Sequence, residues 1–157
     1  MEGFDVKKGT YTIEEREKGK DWGNFLFNDC SYILYVSHLG DTNSKFLNRE
    51  AVQVTVNAPQ SSFIYIRDEK TKKYWDVAGY PTMVPVKRYR CVHGQKFTEI
   101  SSAYEGIDCR ITYAVAPSDT YEIRQVTLKN KTDAIKELDV FSYVEFCLWD
   151  AIDDSSN

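Results

Sequence analysis

Apolar side chains recur at every second position along much of the chain. From Ile107 to Val115, Ile107, Cys109, Ile111, Tyr113 and Val115 share one parity, while Asp108, Arg110 and Thr112 share the other. Such alternation marks a half-buried strand, because successive side chains point to opposite faces of a sheet. Tyr32–Val36, Val52–Val56, Phe63–Ile66, Val86–Val92 and Phe97–Ala103 read similarly, and most are rich in β-branched and aromatic residues. Turn residues punctuate these runs at Gly40-Asp41-Thr42-Asn43, Asn57-Ala58-Pro59-Gln60, His93-Gly94, Glu105-Gly106 and Ala116-Pro117-Ser118-Asp119. The breaks at His93-Gly94-Gln95 and Glu105-Gly106 are short enough for hairpins. The segments Val86–Val92, Phe97–Glu105, Ile107–Ala116 and Tyr121–Asn130 are therefore expected to form an antiparallel meander.

Two strands depart from simple alternation. In Tyr121–Asn130 the apolar parity shifts, with Tyr121 and Ile123 on one face and Val126 and Leu128 on the other. Either a β-bulge near Arg124-Gln125 or cover on both faces accounts for that shift. In Leu138–Leu148, Leu138, Val140, Val144, Phe146 and Leu148 line one face, and Phe141, Tyr143, Cys147 and Trp149 line the other. That pattern predicts a strand covered on both sides. Only Thr12–Lys20, rich in Glu and Lys, could carry a helical turn, and a solvated loop is the expectation there. Nine or ten strands and almost no helix imply a mainly β fold, an antiparallel β-sandwich of two packed sheets in one domain spanning residues 1–157. A two-sided last strand needs more cover than the other strands supply. The sandwich is therefore expected to be incomplete at its C-terminal side, as a segment of a larger protein.

Composition narrows the partners. The 157 residues are 42% hydrophobic, 14% aromatic and 28% charged, an ordinary globular balance that excludes long disorder and coiled coil. A net charge of −4 argues against nucleic acid and against a polybasic membrane contact. No window approaches the ~18 apolar residues that a spanning helix needs. The start Met1-Glu2-Gly3-Phe4-Asp5 has no basic stretch followed by an apolar run, so a cytoplasmic location is expected. Cys30, Cys91, Cys109 and Cys147 form no CxxC pair and read as reduced structural residues.

Candidate chemistry is sparse. The two histidines, His38 and His93, both lie beside glycine-containing turns, where strand-end hydrogen bonding competes with a Cys/His pair or a two-histidine metal site. Asp150, Asp153 and Asp154 could share acid–base work or bind calcium, yet their spacing misses the EF-hand loop, and a solvated turn is the plainer reading. Glu145 lies on an otherwise apolar face and needs a partner, with Arg88, Arg90 and Arg110 as candidates for a structural ion pair. The aromatic side chains Trp22, Phe25, Phe27, Tyr32, Tyr74, Trp75, Tyr80, Tyr89, Tyr104 and Tyr113 suit either sheet packing or stacking on sugar rings.

Three segments together resemble one family. They are Trp22-Gly23-Asn24-Phe25-Leu26 with Tyr32–Ser37; Ile64-Tyr65-Ile66-Arg67-Asp68 with Lys73-Tyr74-Trp75 and Tyr89–Gly94; and Phe141–Ala151 with Asp153, Asp154 and Asn157. This order is similar to the N-terminal region of the cellobiose-phosphorylase type of inverting glycoside phosphorylases, glycoside hydrolase family 94. The resemblance implies a supersandwich of galactose-mutarotase-like type, followed by a helical linker and a helical-barrel catalytic domain. It implies reversible phosphorolysis of a β-linked glucose disaccharide with inversion, giving α-glucose 1-phosphate. Inorganic phosphate is then a co-substrate and no cofactor is expected. The catalytic acid belongs to the barrel, so no residue of this segment is assigned as catalytic and the segment alone is expected to be inactive. A homodimer is implied, with Asp153, Asp154 and Asn157 as supporting substrate-binding candidates. Ser37-His38-Leu39-Gly40-Asp41-Thr42 replaces a glycine-rich turn, and Ala51–Asn57 replaces a basic, tyrosine-rich stretch. Laminaribiose, sophorose or another β-glucoside therefore fits as well as cellobiose. The alternative is a stand-alone carbohydrate-binding module without catalysis.

Overall fold

The computed structural model describes residues 2–17, 20–29, 31–47 and 53–147. Twelve strands follow in chain order: β1 (Gly3–Asp5), β2 (Thr10–Ile13), β3 (Gly23–Phe27), β4 (Tyr32–Ser37), β5 (Thr42–Leu47), β6 (Gln53–Asp68), β7 (Tyr74–Asp76), β8 (Lys87–Gly94), β9 (Thr98–Tyr104), β10 (Ile107–Val115), β11 (Glu122–Asn130) and β12 (Leu138–Phe146). They form two antiparallel sheets. The first runs β1-β2-β8-β9-β10-β11; the second runs β12-β6-β5-β4-β3, with β7 also pairing β6. The expected β8–β11 meander is present. Its β9–β10 hairpin turns on Glu105 and Gly106, both at positive φ, the backbone that a right-twisted two-residue hairpin requires.

Alternation decides what lies between the sheets. Ile13, Cys91, Ile100, Ile107, Cys109, Ile111 and Tyr113 line the first sheet, and they pack on Leu26, Leu34, Val36, Ile64, Ile66 and Trp75 from the second. Trp75 is fully buried, donates its indole N–H to Cys109 Sγ at 3.3 Å and packs against Tyr104. Removing this apolar area from water is the main force joining the layers.

The parity shift in β11 has another cause than either expectation. β10 and β11 pair without interruption from Ile107↔Asn130 to Val115↔Glu122, so no bulge lies at Arg124-Gln125. Nor is the strand covered on both faces: Ile123 and Tyr121 are exposed, and Glu122 and Arg124 occupy the inner face. Glu122 accepts hydrogen bonds there from the Tyr32 hydroxyl at 3.1 Å and from Ser44 Oγ at 2.5 Å across the sandwich. Arg124 pairs with Glu122 and donates to Thr42 Oγ1 at 3.0 Å and to Ser62 Oγ. A polar clasp replaces apolar contact at this corner. Because Glu122 and Arg124 satisfy each other and the opposite sheet, the burial is tolerated.

Four further expectations change. Asn57–Gln60 is not a turn, because β6 continues through it for 16 residues. Its first part pairs β5 and its last part pairs β12 and β7. Pro59, which has no N–H to donate, falls at the register shift of the β12 ladder, between its Asn57 and Ser62 pairs. Thr12 and Ile13 belong to β2, and Arg16 is anchored rather than solvated. β12 is exposed along most of its length on both faces, with Val140, Phe141, Tyr143 and Phe146 each 44–61% exposed. It lies at the edge of its sheet among the described residues, so no neighbouring strand supplies the expected cover. Glu145 is exposed as well and accepts the Tyr143 hydroxyl at 3.1 Å. The arginines expected to pair with it bond elsewhere: Arg88 with Asp108, Arg110 with Glu99, and Arg90 with Thr12.

Candidate functional site

Outward positions of β6, β7 and β12 gather aromatic rings on one face of the second sheet. Ile64 and Ile66 point into the core, so Phe63, Tyr65 and Arg67 point out. The register then places Phe141 opposite Tyr65 and Tyr143 opposite Phe63. Tyr74 of β7 pairs with Arg67 from the other side. Tyr65, Arg67, Tyr74, Phe141, Pro81 and Thr82 line an open groove of about 480 Å³. That volume lies within the range of small-ligand sites.

The side chains in this groove are held in place. Arg67 lies 5.3 Å from the centroid of the Phe141 ring. Its Nε donates to Glu69 at 2.7 Å and its Nη2 to Asp139 at 2.9 Å, and these two carboxylates hold the guanidinium above its ordinary pKa. Nη1 makes no hydrogen bond to another described residue.

Thr82 and Pro81 come from a loop organised by Asp76. One oxygen of this buried carboxylate accepts the Ala78 and Tyr80 amides, both at 2.9 Å, and the other accepts Thr82 Oγ1 at 2.7 Å. Burial raises the Asp76 pKa, and these hydrogen bonds oppose the rise. Arg16 clamps the loop from outside, donating to Val84 O at 3.1 Å and Gly79 O at 3.3 Å. Gly79 sits at φ +73°, and a Cβ there would come within 2.4 Å of Arg16 and 2.7 Å of Val84 O. Only glycine fits between clamp and loop.

The structure also places the candidates for nucleophilic and metal chemistry. Cys91 and His93 do meet, with Sγ 3.6 Å from Nε2, because residues i and i+2 share a strand face. Both are interior. Burial raises the thiol to about 12 and lowers the imidazole to about 4, so neither is charged near neutrality. A thiol held there is no nucleophile. His93 Nδ1 lies 3.0 Å from Thr98 Oγ1. His38 is a strap: Nε2 meets Arg16 O at 3.1 Å, and Nδ1 accepts the Trp22 amide at 3.3 Å. The Nε2–H tautomer satisfies both contacts. No group of three or more metal-ligating side chains occurs among the described residues. Asp150, Asp153, Asp154 and Asn157 lie outside the described residues, as does Cys30.

Of the aromatic residues singled out by composition, Trp75 and Tyr113 are core, whereas Tyr74 lines the groove and Tyr80 packs edge-on against Phe63. Composition alone does not bring Tyr65, Arg67, Phe141 and Tyr143 together. The available signal was parity, since Tyr65 and Arg67 alternate with buried Ile64 and Ile66.

Two antiparallel sheets sharing one core, with long strands and a loop-bordered outer groove, define an antiparallel β-sandwich. The chain belongs to glycoside hydrolase family 94: residues 9–157 match the family model described as the glycosyl hydrolase 94 supersandwich domain. It is 32% identical over 80% of its length to a solabiose phosphorylase of Paenibacillus borealis, covering 17% of that protein. It is 26% identical over 98% of its length to an N,N'-diacetylchitobiose phosphorylase of Vibrio proteolyticus, covering 20% of that protein. A 3-O-beta-D-glucopyranosyl-beta-D-glucuronide phosphorylase of Paenibacillus borealis is 27% identical over 84% of this chain and is covered to 17%. The chain thus spans about a fifth of the length of these relatives.

Proposed function

We propose that this chain is the N-terminal sandwich segment of a glycoside phosphorylase acting on a β-linked disaccharide, a β-glucobiose such as cellobiose or a near relative. The observation that carries this reading is the family match across residues 9–157, joined by relatives that are all named phosphorylases of disaccharides or glycosides. Those names span different sugars, so the aglycone side of the substrate is open. In the proposed reaction a phosphate oxygen attacks the anomeric carbon as the glycosidic C–O bond breaks. A carboxylic acid supplied by the catalytic domain protonates the departing oxygen. Phosphate takes the place of the activated water of inverting hydrolases, and the product is an α-glycosyl phosphate. The sandwich contributes shape and support rather than bond making. Within this reading the parent enzyme is a cytoplasmic homodimer, and Asp153, Asp154 and Asn157 have a supporting role in substrate binding.

The test is product analysis with the full-length protein that carries this segment. Incubated with inorganic phosphate and a panel of β-glucobioses, it should form α-glucose 1-phosphate from at least one. Phosphate-independent hydrolysis, or a β-configured phosphate, overturns the reading. Asp153→Asn and Asp154→Asn should then weaken substrate use without abolishing it.

A further inference from the structure

We propose that the outer groove formed by Tyr65, Arg67, Tyr74, Thr82 and Phe141 binds a β-linked oligosaccharide by stacking pyranose rings on the exposed aromatic faces. This site does not depend on phosphorolysis by the parent protein, and its test needs none.

Four observations point to a sugar. First, Tyr74 is 61% exposed and Phe141 is 44% exposed, so both rings present an open face beside the groove. An aromatic face carries negative charge density, and the C–H groups on the face of a β-pyranose are weakly positive, so stacking removes apolar area on both sides with favourable electrostatics. Second, the rings are flanked by hydrogen-bonding groups of both kinds. Thr82 spends its hydroxyl proton on Asp76, so its oxygen is left to accept from a ligand. Arg67 keeps Nη1 for donation while its other nitrogens are tied to Glu69 and Asp139. Sugar hydroxyls both donate and accept, and this mixture suits them. Third, the positive charge of Arg67 is already matched by two carboxylates, which disfavours a phosphorylated or otherwise anionic ligand. Fourth, the groove is pre-formed. Asp76 and Arg16 fix the loop that carries Pro81 and Thr82, and the β6–β12 ladder fixes Tyr65 opposite Phe141. Little ordering entropy is then lost on binding.

The experiment is titration of the chain with cellotetraose and with N,N',N''-triacetylchitotriose, followed by amide chemical shifts and calorimetry, with maltotetraose as the α-linked comparison. Saturable binding of a β-linked probe is expected, with the largest shifts at Tyr74, Thr82 and Phe141. Tyr74→Ala and Phe141→Ala, both at exposed positions, should each weaken it about tenfold, which is the loss of one stacking contact. Tyr74→Phe keeps the ring and should retain binding. The absence of saturable shifts at millimolar probe overturns the proposal. So does binding that maps elsewhere, or affinity untouched by either alanine substitution. Self-association abolished by Tyr74→Ala, with no sugar response, assigns the groove to a protein contact and also overturns it.

Discussion

Arg124 and Glu122 show how a single pair can reverse the reading of a strand. A charged pair on the inner face forces Ile123 outward, although side-chain hydropathy alone would place them the other way round. The pair is tied to Tyr32, Ser44, Thr42 and Ser62 on the opposite sheet, so it couples the layers. Removing one partner leaves the other charge buried and unmatched. Arg124→Met is therefore expected to destabilise the fold by about 3 kcal/mol, read as a lower urea midpoint. Pairing it with Glu122→Gln should recover part of the loss, because the stranded charge is gone. Equal destabilisation in the single and double variants would show that the clasp contributes through packing rather than charge.

At the scale of the strand, β6 and β12 carry most of what is unusual. β6 pairs β5 along its first part and β12 along the rest, the two ladders meeting at Asn57, and Pro59 falls at the register shift of the β12 ladder. β12 presents apolar side chains on both faces at what is, among the described residues, a sheet edge, with Phe146 61% and Val140 48% exposed. Such an edge is a template for unwanted pairing, and natural sheets blunt it with charge. The 157-residue chain should self-associate as concentration rises, and Val140→Lys with Phe146→Lys should shift it toward monomer in sedimentation velocity. An unchanged size distribution would sink this account of the edge.

Across the whole molecule, buried titratable groups set a pH window for stability. His93 is held down to about 4 by burial. Between its ordinary value and that point the unfolded chain takes up a proton that the native fold refuses, so stability falls as pH drops from about 6.5 to about 4. This group alone accounts for roughly 3 kcal/mol of the fall. Asp68, held down to about 2 by Lys136 and the Thr71 amide, extends the loss from about pH 4 toward 2. On the alkaline side Cys91 and Cys109 are raised to about 12 and about 11, mainly by burial. The unfolded thiols ionise first, so stability falls again above about pH 9. Thermal midpoints measured across this range should peak between those limits, and His93→Gln should flatten the upper acid limb. A wild-type profile that stays level from pH 7 to 4 would contradict the buried, neutral histidine.

Much of the architecture was legible along the chain because a half-buried sheet imposes its period on the sequence. Ile107–Val115 could be paired, faced and placed in a meander from alternation and two glycine turns alone, and the family segments lay in the same strands. The limits of that reading are physical too. Parity shows that two faces differ, but not which one is covered: Phe141 and Tyr143 read as buried and are exposed, because cover depends on what lies across the sheet. Spacing placed Cys91 and His93 on one face, and only the packed interior made them neutral and inert. The aromatic groove draws Tyr65, Tyr74 and Phe141 from three separate strands through β6 pairing, and its polar members are fixed by Asp76 and Arg16 from elsewhere in the chain. Local pattern determined the long strands of the meander and their hairpin turns. Long-range pairing decided which side chains meet, because register and cover are properties of neighbours and not of any one segment.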